Sequence, residues 1–599
     1  MSVQPGGVTT VQDGTSADSV VRARAAVRAV IPNLSVFVPG PGTSVTVRDR
    51  PASAVVELTL SAADGMPALH LEVDLGAASA YWHPGHRTER VLTPDWAGEG
   101  ETSLVQSAPV GALYDAAGRV LLGWAAGELI AELSVRCGVS EERKAFVVEV
   151  RPVRPLDTDL VVMLDGSSDG LAPTVQRLGR WLSAGYVDES LTPPAMARVP
   201  VYSTWYSFTQ DIDAETVLAE SGLATDLGCA AVFIDDGWQR FGHGRGYQGC
   251  GDWIPDESKF ADLPTTVKQI QGMGAAVGLW IAPLLLGRQS EAVRELSGFA
   301  PQWDPLLACQ VLDPRHPEVR DYVERTCLRL VTDYGVDLLK IDFLDRAMIY
   351  QDTSGDGDLA DIGQAMARML QGVRRRLAAA GRDDVAFEFR QPYVSPAIAA
   401  YGEILRANDC PGDSVVNRIC TLDARMLSVG RVVHADPMMW GIAGGAEAVA
   451  QQLYGGWFAV PQISMRLAEL DQGQTDALRG LLTLWRSLAE VTLDGTLEVL
   501  GGERGYDLVR AVRSDLDRSV VARYSHCVVD LDKRPTAHTT VMNATTDHRV
   551  VVRTSRPIIG GVIRSAAAAE VGTVGELGLG LVEIEVPAFG SVTLLRSGR

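Results

Sequence analysis

Between about residues 197 and 488, short apolar runs alternate with longer amphipathic segments, and this alternation is the strongest constraint on the fold. The runs are VPVYSTWYSF (199–208), AAVFIDDGW (230–238), AAVGLWIAPLL (275–285), VDLLKIDFL (336–344), VAFEFRQPY (385–393), GEILRAND (402–409), RVVHADPMMW (431–440) and WFAVPQISM (457–465). Helical patterns lie between them, among them DAETVLAESGLATDLG, LPTTVKQIQGMGA, HPEVRDYVERTCLRLVTDYG and DIGQAMARMLQGVRRRLAAAG. Apolar runs of strand length separated by helices argue for parallel βα units. Eight strand candidates, each followed by a helix candidate, predict a (β/α)8 TIM barrel with insertions. An open doubly wound sheet is the rival, and the absence of a Gly-rich phosphate loop after the first strand weighs against it.

The flanks have a different texture. Before about residue 195, β-branched and alternating runs such as SVTVRD, SAVVELTLSAA, ALHLEVDL, VLLGWAAG and AFVVEVRPV are separated by Gly, Pro and Asp. That is the pattern of an antiparallel sandwich. After about 490 the runs DLVRAVRS, SVVARYSHCVVDL, HTTVMNATT and HRVVVRTS return to β texture. The expected α/β architecture is therefore a sandwich over 1–195, a barrel over 196–488 and a C-terminal antiparallel β domain over 489–599, with the first 20 or so residues loose.

Composition narrows the function. A net charge of −21 repels phosphate backbones and anionic lipid, so nucleic acid and membrane surfaces are not expected partners. No apolar stretch approaches membrane-spanning length, and the first residues lack a basic and then apolar leader. The 8 cysteines are scattered without a CxxC, as reduced thiols of a cytoplasmic protein would be.

Polar residues at the C-terminal ends of barrel strands face the active site. Here those ends carry Asp235, Asp236 and Trp238; Trp280; Lys340 and Asp342; Glu388, Arg390 and Gln391; Arg406 and Asp409, with Asp413 just beyond; and His434 with Asp436. Two carboxylates on different strands suit glycoside hydrolysis, one attacking the anomeric carbon and the other shuttling a proton. Alternation puts Lys340 and Asp342 on one face of their strand, where an ammonium keeps a carboxylate ionised. Adjacent aspartates with an indole suit a sugar ring and its hydroxyls. His434 and Asp436 lack the spacing of a metal site, so no metal and no cofactor is expected.

The strings FIDDGWQ, GDWIPDESKF, GLWIAP and LLKIDF, in that order, resemble the melibiase-type α-galactosidases of glycoside hydrolase family 36. The resemblance covers about 200–440 in motif and the whole chain in architecture, since that family has a sandwich, a barrel and a C-terminal β domain. It implies that Asp342 is the nucleophile, that Lys340 is the lysine of its motif, and that Asp235 and Asp236 hold sugar hydroxyls. It also implies that Trp238, Asp252, Trp253 and Trp280 flank the substrate pocket. Arg390, Arg406 and His434 complete the expected sugar-facing set. The acid/base has two placements: Asp409, directly at a strand end, or Asp413, which precedes Arg418 as the family's second aspartate precedes its arginine. The strand-end position favours Asp409.

The chain departs from the family at FEFRQPY, where the family has a glycine- and cysteine-rich stretch, and at WIAPL, where two glutamates are missing. It therefore reads as a divergent subgroup. Trp82 is read either as reaching into the site from the sandwich or as a core aromatic. Glu388 and Arg390 are read as an ion pair or as substrate contacts. The resulting expectation is a retaining glycosidase acting on terminal α-galactosides or a related α-glycoside, with a small carbohydrate as partner. Because the family often assembles, a homo-oligomer is also expected. The alternatives are a transglycosidase of the raffinose-synthase type and a carbohydrate-binding relative without turnover.

Overall fold

The structure, a computed structural model, describes residues 16–597 apart from 40–41, 51–53, 86–88, 188–192 and 429. All eight barrel runs form strands: Val201–Ser203, Ala231–Ile234, Ala276–Ile281, Leu338–Ile341, Ala386–Arg390, Ile404–Arg406, Val432–His434 and Gln462–Ile463. The first seven pair in parallel with their neighbours in chain order, and the eighth pairs in parallel with the first through Val201 opposite Gln462. Parallel bridges between His434 and Val460 and between Met438 and Ile463 close the ring.

Five of the helices begin where the sequence supplies a side-chain cap. Asp213, Asp262, Asp361, Asp413 and Asp471 each accept a backbone N–H from the first turn of the helix that follows. Gly228 ends the first of these, and Gly335 ends the helix Pro317–Tyr334, both in the left-handed region.

The expectation of a helix after every strand fails after the fifth. Only the 3-10 turn Pro396–Ala400 lies between that strand and the sixth. The space is taken by Leu171–Ser183, a helix preceding the barrel in sequence, which packs on this turn and on the helix Ser414–Leu427. The approach is close: a Cβ on Gly179 would lie 2.5 Å from the Leu427 carbonyl oxygen. After the third strand a small antiparallel sheet of Leu285–Leu286, Gln302–Asp304 and Cys309–Val311 is inserted.

The N-terminal region is a sandwich of a five-stranded and a six-stranded antiparallel sheet. Its first described segment is a helix, Ser16–Val30, rather than the expected loose chain. Ala23 and Val27, one turn apart, bury its apolar side against the sandwich core. Residues 1–15 lie outside the described residues. The C-terminal region has a seven-stranded and a three-stranded sheet, antiparallel except where Arg518–Arg523 runs parallel to His538–Asn543 and Val529–Asp530 to Arg549–Thr554. Among the described residues no helix is long and apolar enough to cross a membrane.

The three regions meet on one barrel helix, Ser414–Leu427. Its buried Asp423 accepts a hydrogen bond of 2.8 Å from Trp82 Nε1 and pairs with Arg90, both from the sandwich. The Tyr506 hydroxyl, from the C-terminal region, donates to the same carboxylate. Trp82 is thus a core aromatic at a joint between regions, fully buried there. Removing one member of a buried ion pair leaves the other charged and unpaired, at a cost of about 3–5 kcal/mol. Asp423→Ala should therefore lower the urea midpoint more than any single-cap variant, whereas Trp82→Phe, which forfeits one hydrogen bond, should cost on the order of 1 kcal/mol beyond its lost packing. Chemical denaturation of the two variants checks the ranking.

Candidate active site

The fourth strand delivers Asp342 to the barrel mouth, where the backbone turns sharply and Phe343 takes a left-handed conformation with φ 55°. Three donors fix the Asp342 carboxylate. The Phe343 N–H and Arg390 Nε bind Oδ1 at 2.7 and 2.5 Å, and Trp280 Nε1 binds Oδ2 at 3.0 Å. Burial alone would raise the proton affinity of this carboxyl. The guanidinium of Arg390, then the ammonium of Lys340 and the Trp280 hydrogen bond, overturn that and hold it well below the usual carboxylate range.

Arg390 also lies 3.5 Å from the Asp345 carboxylate and stacks over the rings of Phe343 and Tyr393. Of the two readings of Glu388 and Arg390, the mutual ion pair is therefore not met. The two residues share a strand face, but Glu388 lies one pleat deeper, where His434 Nδ1 at 3.0 Å and Gln462 Nε2 at 2.6 Å hold it.

Lys340 is committed to a different carboxylate, pairing with Asp235 at 2.6 Å. Asp235 also accepts from Ser203 and from the Asp236 N–H. Asp236 accepts from Gln210 Nε2 at 2.7 Å and Gln239 Nε2 at 2.6 Å. The turn after these aspartates requires a glycine: Gly237 has φ 119°, and a Cβ there would lie 2.6 Å from Gln210 Cα. Burial is the main force on Asp236, and with the neighbouring charges of Asp235 and Asp342 it pushes the carboxyl up to about 7.

Across the mouth the sixth strand presents Arg406, which is buried and pairs with Asp409 at 2.9 Å and with Asp436. Asp436 also accepts the Tyr206 hydroxyl at 2.9 Å and the Cys410 N–H at 2.8 Å. Asn417 holds its backbone from both sides. Burial drives Asp436 up to about 7 against the pull of Arg406. Asp409 differs from all of these: its side chain is 50% exposed. It stands in a concave mouth, so desolvation still raises its proton affinity, but Arg406 outweighs that and lowers it below the usual range. The charge of Asp342 reaches it and acts in the opposite direction.

The structure thus brings together Asp235, Asp236, Trp280, Lys340, Asp342, Arg390, Arg406 and Asp409. It does not bring Asp413, Trp238 or His434 to the mouth. Asp413 is exposed and caps the helix Ser414–Leu427, accepting the N–H groups of Val415 and Val416. Trp238 is fully buried, donates to the Trp280 carbonyl oxygen and packs against Trp253 and Tyr334. His434 is fully buried, its Nε2 lying 2.8 Å from the Ala197 carbonyl oxygen. Trp253 backs Trp280 from beneath, and Asp252 caps the inserted segment through the N–H groups of Glu291 and Ala292.

Sequence reasoning passed over Tyr206, Gln210, Tyr247 and Asp345. Tyr206 and Tyr247 are partly exposed beside the carboxylates, and Tyr247 packs against Phe343 and Trp280. Tyr206 lay inside the first apolar run, where its place after the strand end was a usable signal. Tyr247 comes from a loop with no periodicity to flag it.

Residues 170–378 match the family model described as Melibiase. An α-galactosidase of Escherichia coli is 26% identical over 221 residues, 35% of this chain and 30% of that protein. Alpha-galactosidase AgaA of Geobacillus stearothermophilus is 25% identical over 210 residues, 33% of this chain and 27% of that protein. The matched stretch thus spans less than a third of either relative. In structure, 94% of this chain superposes on 86% of the crystal structure of the glycoside hydrolase family 36 α-galactosidase AgaA, with a TM-score of 0.61 and 14% identity. That likeness establishes the shared fold.

Two of the buried carboxyls make a pH prediction. Asp236 and Asp436 have folded-state pKa values raised to about 7 from 3.8, so the folded state binds more protons than the unfolded chain between those limits. Their stabilising contribution is complete below pH 3.8 and is lost as pH rises through about 7. Asp236→Asn, which has no proton to lose, should show a flatter fall in unfolding free energy from pH 5 to pH 8 than the parent. Urea titrations at the two pH values measure the difference, and parallel slopes would rule it out.

Proposed function

Because residues 170–378 match the family model described as Melibiase, we propose that this protein is a retaining α-glycosidase that releases terminal α-galactosyl units. One observation carries the reading. A carboxylate pinned in its ionised form, Asp342, shares the mouth with a solvent-reachable carboxylate, Asp409, close enough for the charge of the first to alter the proton affinity of the second. The curated relatives support the choice of sugar. So do the crystal structures of AgaA variants in complex with raffinose and with stachyose.

In the first step an oxygen of Asp342 attacks the anomeric carbon as the bond to the leaving oxygen breaks, and Asp409 gives that oxygen its proton. Arg406 holds Asp409 ionised in the free protein. Protonation therefore accompanies the sugar, whose arrival displaces water from Asp409 and raises its proton affinity. In the second step Asp409 takes a proton from water, the water oxygen bonds to the anomeric carbon, and the Asp342 carboxylate leaves. While Asp342 is esterified its negative charge is gone, so Asp409 holds a proton less tightly and stands ionised, as the base of this step must. Arg390, Phe343 N–H and Trp280 receive the departing charge.

Asp235 and Asp236 are almost completely buried and engaged by Lys340, Gln210 and Gln239. They form the floor of the sugar site, while Trp205, Tyr206, Tyr247 and Phe343, all partly exposed, form its walls. We assign the barrel of 196–488 as the catalytic unit, between the two β regions.

Hydrolysis of nitrophenyl α-galactoside, α-N-acetylgalactosaminide, α-glucoside and β-galactoside tests the reading. Asp342→Asn should lose on the order of a thousandfold or more in kcat. Asp342→Gly with added azide should yield the β-glycosyl azide, because azide then enters from the face the carboxylate vacates. Asp409→Ala should lose far more on a trisaccharide than on a nitrophenyl glycoside, whose leaving group needs little protonation. Asp413→Ala should keep turnover and lose about 1 kcal/mol of stability, as a helix cap does. Turnover surviving in Asp342→Asn, or an α-azide product, would sink the mechanism.

A further inference from the structure

Arg406 divides one positive charge among three carboxylates from different elements. Its Nη2 lies 2.9 Å from Asp409, its Nη1 bonds Asp436, and its Nε lies 3.4 Å from the Glu388 carboxylate. Of the three, Asp409 reaches the mouth, whereas Asp436 and Glu388 are buried. Three carboxylates around one buried cation leave an excess of negative charge, which a site cut off from water relieves by holding a proton. Glu388 is not the holder. Burial raises its proton affinity, but the His434 hydrogen bond and the charges around it prevail and keep it below the usual range. Arg406 likewise keeps Asp409 ionised. The proton therefore falls to Asp436, which burial pushes up to about 7 against the pull of Arg406.

The elements packed around Asp436 bring no rival for that proton. The segment after the first strand contributes the Tyr206 hydroxyl, at 2.9 Å. The loop after the sixth strand contributes the Cys410 N–H, at 2.8 Å, and the helix Ser414–Leu427 contributes Asn417 and Cys420. Burial pushes the Tyr206 phenol and the thiols of Cys410 and Cys420 well above their usual ranges, so all three keep their protons. Asp409 and Asp436 are then the groups on Arg406 that exchange a proton, and they are coupled, because the charge of Asp409 adds to the proton affinity of Asp436. They are coupled through the backbone as well. The N–H that Asp436 accepts belongs to the residue directly after Asp409, so the same carboxyl fixes the chain that carries the acid/base.

We propose that Asp436 is a positioning residue that stores the proton of the acid/base: in the free protein the proton sits on Asp436 while Arg406 pairs with Asp409, and when a glycoside fills the mouth the proton sits on Asp409 while Arg406 pairs with Asp436. The exchange is balanced. The Asp436 carboxyl loses one proton, the Asp409 carboxylate gains one, and the guanidinium stays charged with an anionic partner before and after. Loss of water from Asp409 as the sugar arrives drives it. Among the contacts of Asp436, Tyr206 is partly exposed, so its hydroxyl is the way out: it accepts the proton of Asp436 as it releases its own toward the mouth. The arrangement lets an aspartate that an arginine keeps ionised act as an acid at neutral pH. The role of Asp409 in it rests on the glycosidase reading; the place of the proton in the free protein does not.

The pH profile of kcat/KM, which reports the free protein, is the test. With raffinose the basic limb of the parent should fall near pH 7, where the stored proton is lost. Asp436→Asn has no place to store it. Its limb should move about one unit or more to lower pH, and its kcat/KM at neutrality should fall about tenfold or more on raffinose but far less on nitrophenyl α-galactoside, whose leaving group needs little protonation. Tyr206→Phe removes a hydrogen bond that favours ionised Asp436, so its limb should move the opposite way, by several tenths of a unit. A disturbed fold lowers rates without displacing the two limbs in opposite directions. An unmoved limb in Asp436→Asn would overturn the proposal. Should that variant fail to fold, a limb in Tyr206→Phe that stays or moves to lower pH would overturn it too. If the parent turns over neither glycoside, the glycosidase reading fails, and the free protein decides where the proton sits. NMR of isotope-labelled aspartate carboxyls should then show one that titrates near pH 7 and moves upward in Tyr206→Phe, and the lack of such a signal would strike out the stored proton as well.

Discussion

Three buried cations organise the barrel mouth. Lys340, Arg390 and Arg406 stand on the fourth, fifth and sixth strands, and each is held against at least one carboxylate. Ions this far from water are stable only when paired and hydrogen-bonded. That condition fixes much else: Ser203 beside Asp235, Asn417 and Tyr206 around Asp436, and Gln462 with His434 around Glu388. The three pairings differ in outcome. Arg390 leaves Asp342 firmly ionised, whereas Arg406, shared among Glu388, Asp409 and Asp436, leaves Asp436 with a raised proton affinity. One cation per strand, divided unequally among carboxylates, produces groups with separate protonation habits in one cleft.

Much of this was legible in the sequence. All eight barrel strands fall inside the apolar runs, because parallel strands covered on both faces must be apolar along their length. The strand-end rule found Asp342, Asp409, Arg390 and Arg406 for the same reason: the end of a strand is where apolar patterning stops and chemistry begins. The rule misplaced Trp238 and His434. A strand end says nothing about whether a side chain turns toward the mouth or back under it. Trp238 follows a left-handed glycine that redirects the chain, and His434 drops into the barrel interior to meet Glu388.

The choice between Asp409 and Asp413 illustrates a different limit. Both are aspartates near a strand end, and each satisfies half of a motif. What separates them is local hydrogen bonding: Asp413 has spent its carboxylate on the N–H groups of a helix, and Asp409 has not. The missing helix after the fifth strand was beyond the alternation argument altogether. Its position is filled by Leu171–Ser183, from outside the barrel sequence, and only tertiary packing reveals that substitution.

The helix Ser414–Leu427 ties these observations together. It starts at the cap beside the Asp409 loop, its Asn417 braces Asp436, and two turns on its Asp423 takes up the sandwich and the C-terminal region at once. The Arg418 guanidinium adds a second tie, to the Gly505 carbonyl oxygen. The barrel is therefore not a self-contained unit. Excising it would strand Asp423 without Arg90, Trp82 and Tyr506 on the helix that shapes the mouth, and would remove Leu171–Ser183 from the wall it completes. A change at this one helix is therefore felt in three places: the acid-bearing loop at the mouth, the sandwich and the C-terminal sheets.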